Sequence, residues 1–150
     1  MLRSLQTIPH KNADAMFKAA SEVTRGRLVQ KNHVTKTAVL PTSQEGLYFI
    51  NKDNYPVGIM SAEGELSDYD SRLEKIQAGE SVVLETPLHG ERYGTSEYVP
   101  DGLVEGDHLE VEITSGVNQG KLKKSTDVTK FKYCGTINDN GHTLAVIEVL

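Results

Sequence analysis

The sequence has 150 residues, a formal net charge of −5 and a single cysteine, Cys134. A chain of this length is expected to form one domain with its own core, and one cysteine excludes an intrachain disulfide. No stretch approaches the roughly 18 apolar residues of a membrane-spanning helix, and residues 1–11 lack the apolar run of a signal peptide. We therefore expect a protein without a membrane segment and without dependence on an oxidising compartment.

The charges are distributed unevenly along the chain. Residues 1–36 carry a net charge of +5, residues 37–112 carry −12 and residues 113–150 carry +2. This asymmetry favours contact between the basic N-terminal residues and an acidic neighbour, for example the acidic body of another copy; alternatively, both regions are solvated surfaces. Phosphate binding needs a basic face, so the acidic body argues against nucleic acid as the main partner.

The first periodic pattern predicts a short helix between Asn12 and Glu22. Asn12 is a suitable N-cap, and Asp14 lies in the first turn, where the helix dipole favours an acid. An apolar stripe with helical spacing is formed by Met16, Ala19, Ala20 and Val23. We therefore expect residues 1–25 to be an extended arm that carries one short helix, and residues 26–150 to be a β domain.

The rest of the chain alternates between short β-prone runs and turns. Strands are predicted at 27–30, 34–40, 46–50, 57–60, 81–85 and 108–113, and a loop with a short helical turn is predicted at 61–80. Residues 46–50 form the most apolar run of the first half, which indicates a buried strand. With the C-terminal hairpin, this gives a mainly β chain of about eight short strands, typical of a small β-sandwich or β-barrel.

The chain ends in a predicted hairpin of residues 131–137 and 142–150, separated by a polar loop at 138–141. With a four-residue loop, Ile137 pairs with His142 and Cys134 pairs with Ala145. Cys134 and His142 then lie ~10 Å apart along the ladder and on opposite faces, so they cannot act as a nucleophile and its base. The apolar last strand is expected inside a sheet or under a neighbour.

No motif for catalysis, metal binding or phosphate binding is found in the sequence. The histidines have no zinc-ligand spacing, and the residues after Asp68 depart from a calcium loop at its fifth, sixth and twelfth positions. The glycine-rich phosphate loops and the serine-hydrolase elbow are missing. We therefore predict no catalytic, metal-binding or cofactor-binding residues, no cofactor and no enzyme activity.

Residues 76–113 contain two glycine–acid turns, Gly79-Glu80 and Gly106-Asp107, each placed before a predicted strand. Between these strands, residues 86–102 are predicted to form an exposed loop. Tyr and Arg are enriched at interface hot spots. Contacts with a partner are therefore predicted for Arg3, Lys11, Lys18, Arg25, Arg27, His89, Arg92, Tyr93 and Tyr98. The alternative is an ordinary surface loop whose tyrosines fold back on the sheet.

In these features the chain resembles the auxiliary head proteins of tailed bacteriophages, also called decoration or cement proteins. The resemblance lies in the N-terminal arm, the small β domain, the turns Ala78-Gly79-Glu80 and Glu105-Gly106-Asp107, and the apolar strand at 144–150. It implies a non-enzymatic structural protein of the virion, made in the host cytoplasm, that binds the outer surface of a shell of major capsid protein. It also implies a homo-oligomer, with a trimer favoured, and it transfers no site residues.

Two further hypotheses remain open. The first is a phage tail, baseplate or head–tail connector component. The second is a small β-barrel enzyme or ligand-binding module with a site under the 86–102 loop, formed by His89, Arg92 and Tyr93. If the arm only attaches the protein to a shell, deletion of residues 1–24 should leave the β domain folded.

Overall fold

The computed structural model describes residues 1–8, 13–52, 74–139 and 141–150, and these residues form thirteen strands in three sheets. The prediction of a mainly β chain is confirmed. The strands are β1 (Leu2–Gln6), β2 (Asp14–Ala19), β3 (Val23–Thr24), β4 (Leu28–Asn32), β5 (Thr37–Val39), β6 (Leu47–Asn51), β7 (Lys75–Ile76), β8 (Ser81–Glu85), β9 (Arg92–Thr95), β10 (His108–Val111), β11 (Leu122–Lys124), β12 (Phe131–Asp139) and β13 (His142–Val149). The strand predicted at 57–60 and most of the loop predicted at 61–80 lie outside the described residues.

Two large sheets make up the fold. A closed five-stranded barrel has the order β2-β5-β4-β6-β8, and a six-stranded sheet has the order β1-β9-β13-β12-β10-β11. Every pairing in the six-stranded sheet is antiparallel, whereas β2 and β5 pair in parallel to close the barrel. A short third sheet joins β3 to β7. The turns at 78–79 and 105–106 precede β8 and β10, as the glycine–acid pairs predict.

Strands β4 and β6 belong to two cores at once. Leu28 and Phe49 pack with residues of the six-stranded sheet, whereas Val29 and Ile50 pack inside the barrel. Successive side chains of a strand point to opposite faces, so both faces of this strand pair are buried. A strand buried on both faces is apolar without alternation. This explains the continuous apolar run at 46–50, whose prediction as a buried strand is confirmed.

The helix predicted between Asn12 and Glu22 is wrong, because Asp14–Ala19 form strand β2. Phe17 and Ala19 are buried in the barrel, whereas Met16 is 78% exposed, which is the alternation of a strand. An isolated short helix is marginal in water, while β2 gains ladder hydrogen bonds from β5 and β8 on both sides. Tertiary pairing therefore overrides the local helix signal.

The predicted extended arm is also not found. Strand β1 pairs with β9 at the edge of the six-stranded sheet, β2 closes the barrel, and β3 pairs with β7. A Cβ at Gly26 would lie 2.6 Å from the Met1 carbonyl oxygen, so this close approach requires glycine. Strands from both sides of residue 25 thus share each sheet. Deletion of residues 1–24 would remove strands from all three rather than leave the β domain intact.

The register predicted for the C-terminal hairpin is wrong by two residues at its loop. Asp139 pairs with His142, so only residues 140–141 connect the strands, and Ile137 pairs with Leu144. The sequence between these strands contains Asn-Gly, the dipeptide preferred in two-residue hairpin loops, and the prediction gave it too little weight. A bulge between Tyr133 and Thr136 shifts the pairing further along. Strand β13 lies between β12 and β9, as its apolar sequence predicts.

One side chain replaces a strand at the border between barrel and sheet. Strand β12 starts at Phe131, opposite Leu109, so β10 extends past it toward Val111. There the Gln44 Nε2 donates to the Val111 carbonyl oxygen at 2.7 Å, and the Val111 amide donates to the Gln44 Oε1 at 2.9 Å. The Gln44 amide therefore continues the ladder and ties a barrel loop to the sheet.

We expect Gln44→Ala to lower the free energy of unfolding by about 1–2 kcal/mol, because both backbone groups of Val111 lose their partner. Urea unfolding measures this loss. Gln77→Ala is the control, since Gln77 is exposed and its side chain forms no hydrogen bond with a described residue. Equal midpoints for the two variants would contradict a structural role for the Gln44 amide.

Candidate interaction surface

Three of the basic contact residues predicted in the first 27 residues form ion pairs within the chain. The pairs are Arg3–Asp139 (Nε to Oδ2, 2.6 Å), Arg25–Glu74 (Nη1 to Oε1, 3.9 Å) and Arg27–Glu97 (Nη2 to Oε2, 2.6 Å). The uneven charge of the sequence is thus partly neutralised inside the fold. Lys18 is exposed and forms no ion pair with a described residue, and Lys11 lies outside the described ranges.

A buried polar junction joins Met1 to residues next to β3, β7 and β9. The Met1 amino group donates to the Arg25 carbonyl oxygen at 2.8 Å and to the Ser96 Oγ at 2.7 Å, and it lies 2.7 Å from the Glu74 Oε2. Both carboxylate oxygens of Glu74 are buried and receive no well-aligned hydrogen bond from the described residues. The amino group and the Arg25 guanidinium therefore compensate the Glu74 charge by proximity rather than by directed bonds.

The prediction of an exposed loop at 86–102 is wrong in its centre, because β9 runs through it and Tyr93 is fully buried. The Tyr93 hydroxyl donates to the Glu91 Oε2 at 2.6 Å. The same carboxylate accepts the amides of Leu88 and Ile8, each at 2.9 Å. Burial and the adjacent Glu91 raise the pKa of Tyr93 above its usual value of 10. Mutual hydrogen bonding lets these polar groups enter the core.

The other predicted contacts of this segment do not form one site. His89 is exposed, and Arg92 is 46% exposed beside Glu148, at 3.4 Å between Nη2 and Oε2. Tyr93 is the next residue of the same strand, so its side chain points to the opposite, buried face. Tyr98 is half-buried against the core of the six-stranded sheet. A ligand touching His89 and Arg92 would therefore not reach Tyr93.

A different cluster stands out at one end of the barrel, which we call the barrel mouth: Asp14, Phe17, Lys31, His33 and Tyr48. The Lys31 side chain is only 12% exposed, and its Nζ donates to the Asp14 Oδ2 at 2.7 Å. The same Nζ lies 4.1 Å from the ring centroid of Tyr48 and 5.3 Å from that of Phe17. Cation–π attraction and the ion pair together fix this lysine.

Electrostatics at the barrel mouth favour a charged Asp14. The hydrogen bond from Lys31, and then that from the Met16 amide, hold the pKa of Asp14 below its usual value of 3.8. Lys31 lies in the polar run 30–33, whose composition resembles that of a turn, so the sequence gives little sign of a half-enclosed lysine. The signal that could have found it is the strand alternation of Val29 and Lys31.

A groove of about 450 Å³ opens beside the barrel mouth. It is lined by residues 30–33, by Val39 of β5 and by residues 45, 46 and 48 around the start of β6. Two exposed apolar residues are adjacent in sequence to residues of the barrel mouth: Met16, which is 78% exposed, and Val34, which is 93% exposed. Their neighbours Phe17 and His33 are in ring contact with centroids 5.6 Å apart, which places both at the same end of the barrel.

We expect Asp14→Asn to destabilise the protein by about 1 kcal/mol at pH 7, because Lys31 keeps its charge without its partner. The folded-state pKa of Asp14 is lowered, so its contribution is present above the unfolded value of 3.8 and is lost as pH falls below it. Urea unfolding at pH 7 and at pH 3 should therefore give a smaller difference at acid pH. Asp101→Asn, at an exposed position, should have no effect at either pH.

Tyr93→Phe should cost about 1–2 kcal/mol at neutral pH, because the buried Glu91 carboxylate loses a donor. The raised pKa of Tyr93 means that the folded state holds this proton above pH 10, where the unfolded state releases it. Stability of the parent protein therefore falls with rising pH, by at most about 1.4 kcal/mol per unit for one group. A parallel fall in the variant between pH 9 and pH 11 would contradict this assignment.

Within the described ranges, no group of three or more His, Cys, Asp and Glu side chains is arranged to hold a metal ion. In the same part of the chain, no helix is long and apolar enough to cross a membrane. Comparisons with protein-family models, with curated proteins and with solved structures found no match for this chain.

Proposed function

We propose that this chain is a non-enzymatic structural protein of a virus particle that binds and stabilises the outer surface of the assembled capsid. It acts there as a homo-oligomer, with a trimer favoured, on a shell of major capsid protein. The glycine–acid turns and the apolar final strand, which carry the resemblance to decoration proteins, support this proposal. The predicted arm no longer supports it, because residues 1–8 and 13–25 contribute strands to the fold.

The observation that carries the proposal is the surface at the barrel mouth. Met16 and Val34, which are next in sequence to Phe17 and His33 of the barrel mouth, are 78% and 93% exposed. The side chains beside them are held in place by the Lys31–Asp14 ion pair and by ring contacts. Methionine and aromatic residues are enriched in the cores of protein interfaces, and rigid neighbours reduce the entropy lost on binding.

This surface changes the expected salt dependence of attachment. A basic arm docked on an acidic neighbour would detach as ionic strength rises, because exposed charges are screened beyond about 10 Å at 0.1 M salt. Arg3, Arg25 and Arg27 instead have partners within the chain. Attachment through Met16 and Val34 depends on apolar burial and should persist at high salt.

The test is co-sedimentation of the purified chain with assembled shells of the encoding virus that lack it, in 0.1 M and 0.5 M NaCl. We expect the chain to attach in many copies over the whole shell at both salt concentrations. The double variant Met16→Asp, Val34→Asp should lower the number of attached copies at least about 10-fold, because each introduced carboxylate would have to be desolvated on binding. The matched control is Val117→Asp, Val128→Asp, at two aliphatic residues exposed to 81% and 84% on other loops.

Attachment of a few copies at a single vertex or on the tail would replace the capsid proposal with the tail or connector alternative. Attachment that is lost equally in both double variants would exclude the barrel mouth as the contact surface. Failure of the folded chain to attach to shells at either salt concentration would overturn the proposed function.

A further inference from the structure

Strand β4 extends beyond its last pair with β6, and the groove beside the barrel mouth lies along this unpaired end. The last pair between these strands is Gln30 with Leu47. Strand β4 continues to Asn32, where it is paired on its other side with Thr37 of β5. Beyond Gln30, the side of β4 that faces β6 therefore has no strand partner among the described residues.

The pairing pattern indicates which backbone groups face this open side. The Arg27 carbonyl oxygen accepts the Ile50 amide at 2.9 Å, so the backbone of Arg27 points toward β6. In an antiparallel ladder every second residue points the same way, which places Val29 and then Lys31 on that side. The amide and carbonyl of Lys31 thus face the groove, and no hydrogen bond joins them to a described residue.

The wall of the groove formed by the loop before β6 is held away from Lys31 by one side chain. The Gln30 Nε2 donates to the Ser43 Oγ and to the Glu45 carbonyl oxygen, each at 2.7 Å. The Gln30 Oε1 accepts the Thr42 amide at 2.9 Å. These bonds fix the loop on Gln30, one residue before Lys31, so the position of this wall is set by the fold.

The opposite wall is the β4–β5 turn, and it is fixed in the same manner. The Asn32 Oδ1 accepts the amides of Val34 at 3.0 Å and of Thr35 at 3.2 Å. The hydroxyls of Thr35 and Thr37 are hydrogen-bonded at 2.7 Å. Both walls are therefore preorganised, and a ligand would enter the groove without first ordering them.

We propose that this groove, which we call the β4 slot, binds an extended segment of a protein partner that adds to the edge of β4 in line with β6. An unpaired amide and carbonyl on one strand edge are recognised by the amide and carbonyl of another extended chain. Under the proposed function, that segment belongs to the shell protein. The slot itself does not depend on which protein supplies the segment.

Charge in the slot selects a basic segment. The Lys31 charge is balanced by Asp14 at 2.7 Å. Glu45 is exposed at the wall and forms no ion pair with a described residue. A lysine or arginine in the bound segment would find this carboxylate, whereas an aspartate or glutamate would be repelled. Glu45→Gln should therefore weaken binding of basic segments and reduce its salt dependence.

Hydrogen exchange of the isolated protein tests the open edge without any partner. The Lys31 amide should exchange about 100-fold faster than the Val29 amide, which faces β6 on the same strand. Addition of a peptide that binds the slot should slow exchange of the Lys31 amide and leave the exchange rate of the Val29 amide unchanged. Equal protection of the two amides in the isolated protein would overturn the proposal.

The binding test uses an immobilised array of random octapeptides as probe. The parent protein should retain extended peptides rich in Lys and Arg, and Gly46→Asn should lose them at least 10-fold. Gly46 borders the slot, has φ +63°, and a Cβ there would meet nothing within 4 Å, so the added side chain occupies groove space. The matched control is Gly79→Asn at another glycine with positive φ (+86°) and open surroundings.

Absence of peptide binding, preference for acidic peptides, or equal binding by the two glycine variants would each overturn the slot. Its failure is distinguishable from failure of the proposed function. Peptide binding that requires an open Gly46, in a chain that never attaches to shells, supports the slot and rejects the capsid role. Shell attachment by Gly46→Asn as strong as by Gly79→Asn rejects the slot as the shell contact and leaves the capsid role standing.

Discussion

The strand pair β4–β6 is the constraint on which the rest of the molecule depends. It forms part of the barrel wall and also the surface on which the six-stranded sheet packs, with Leu28 and Phe49 on one face and Val29 and Ile50 on the other. Neither core can be completed without it. The two sheets are further joined by the Gln44 amide on Val111 and by the Arg27–Glu97 ion pair. A change on one face of this pair therefore affects both cores, which is why its sequence is apolar without interruption.

The local sequence pattern predicts strands whose signal lies in neighbouring residues. It misses strands that are stabilised only by contacts formed in the folded chain. The apolar run at 46–50, the glycine–acid turns and the C-terminal hairpin follow from residues that lie side by side in the chain. Strand β9 could not be predicted in this way, because Tyr93 and Thr95, and Glu91 just before the strand, are polar and are buried only through side-chain hydrogen bonds of the folded state. The Tyr93 hydroxyl donates to the Glu91 carboxylate, which also accepts the Ile8 amide, and the Thr95 hydroxyl donates to the Gly26 carbonyl oxygen. Strand β2 was missed for a related reason, since alanine and methionine favour helix until two neighbouring strands offer ladder bonds.

Charge patterning along the sequence is a poor guide to the field around this protein. Arginines of the basic first segment are paired with acids that lie up to 136 residues away, as Arg3 is with Asp139. What distinguishes the barrel mouth is not net charge but confinement: Lys31 is held between an acid and two aromatic rings beside an open strand edge. This candidate site is defined by the residue at which the hydrogen-bonded pairing of β4 with β6 ends. The sequence alone does not reveal that residue. One glutamine, Gln30, fixes the loop that borders this open edge by donating to the Glu45 carbonyl oxygen.

The order in which the chain visits its sheets has a consequence for its biogenesis. The six-stranded sheet begins with β1 and is continued only by β9, so the whole barrel is inserted between two paired neighbours, with Leu2 opposite Thr95. At a ribosomal rate of about 5–20 residues per second, β1 waits on the order of ten seconds for its partner to be synthesised. The barrel strands β2 to β8 are available earlier and have closer partners, which loop-closure entropy favours. All strands of the barrel are therefore synthesised before β9, the partner of β1, and β13 joins the other side of β9 later still.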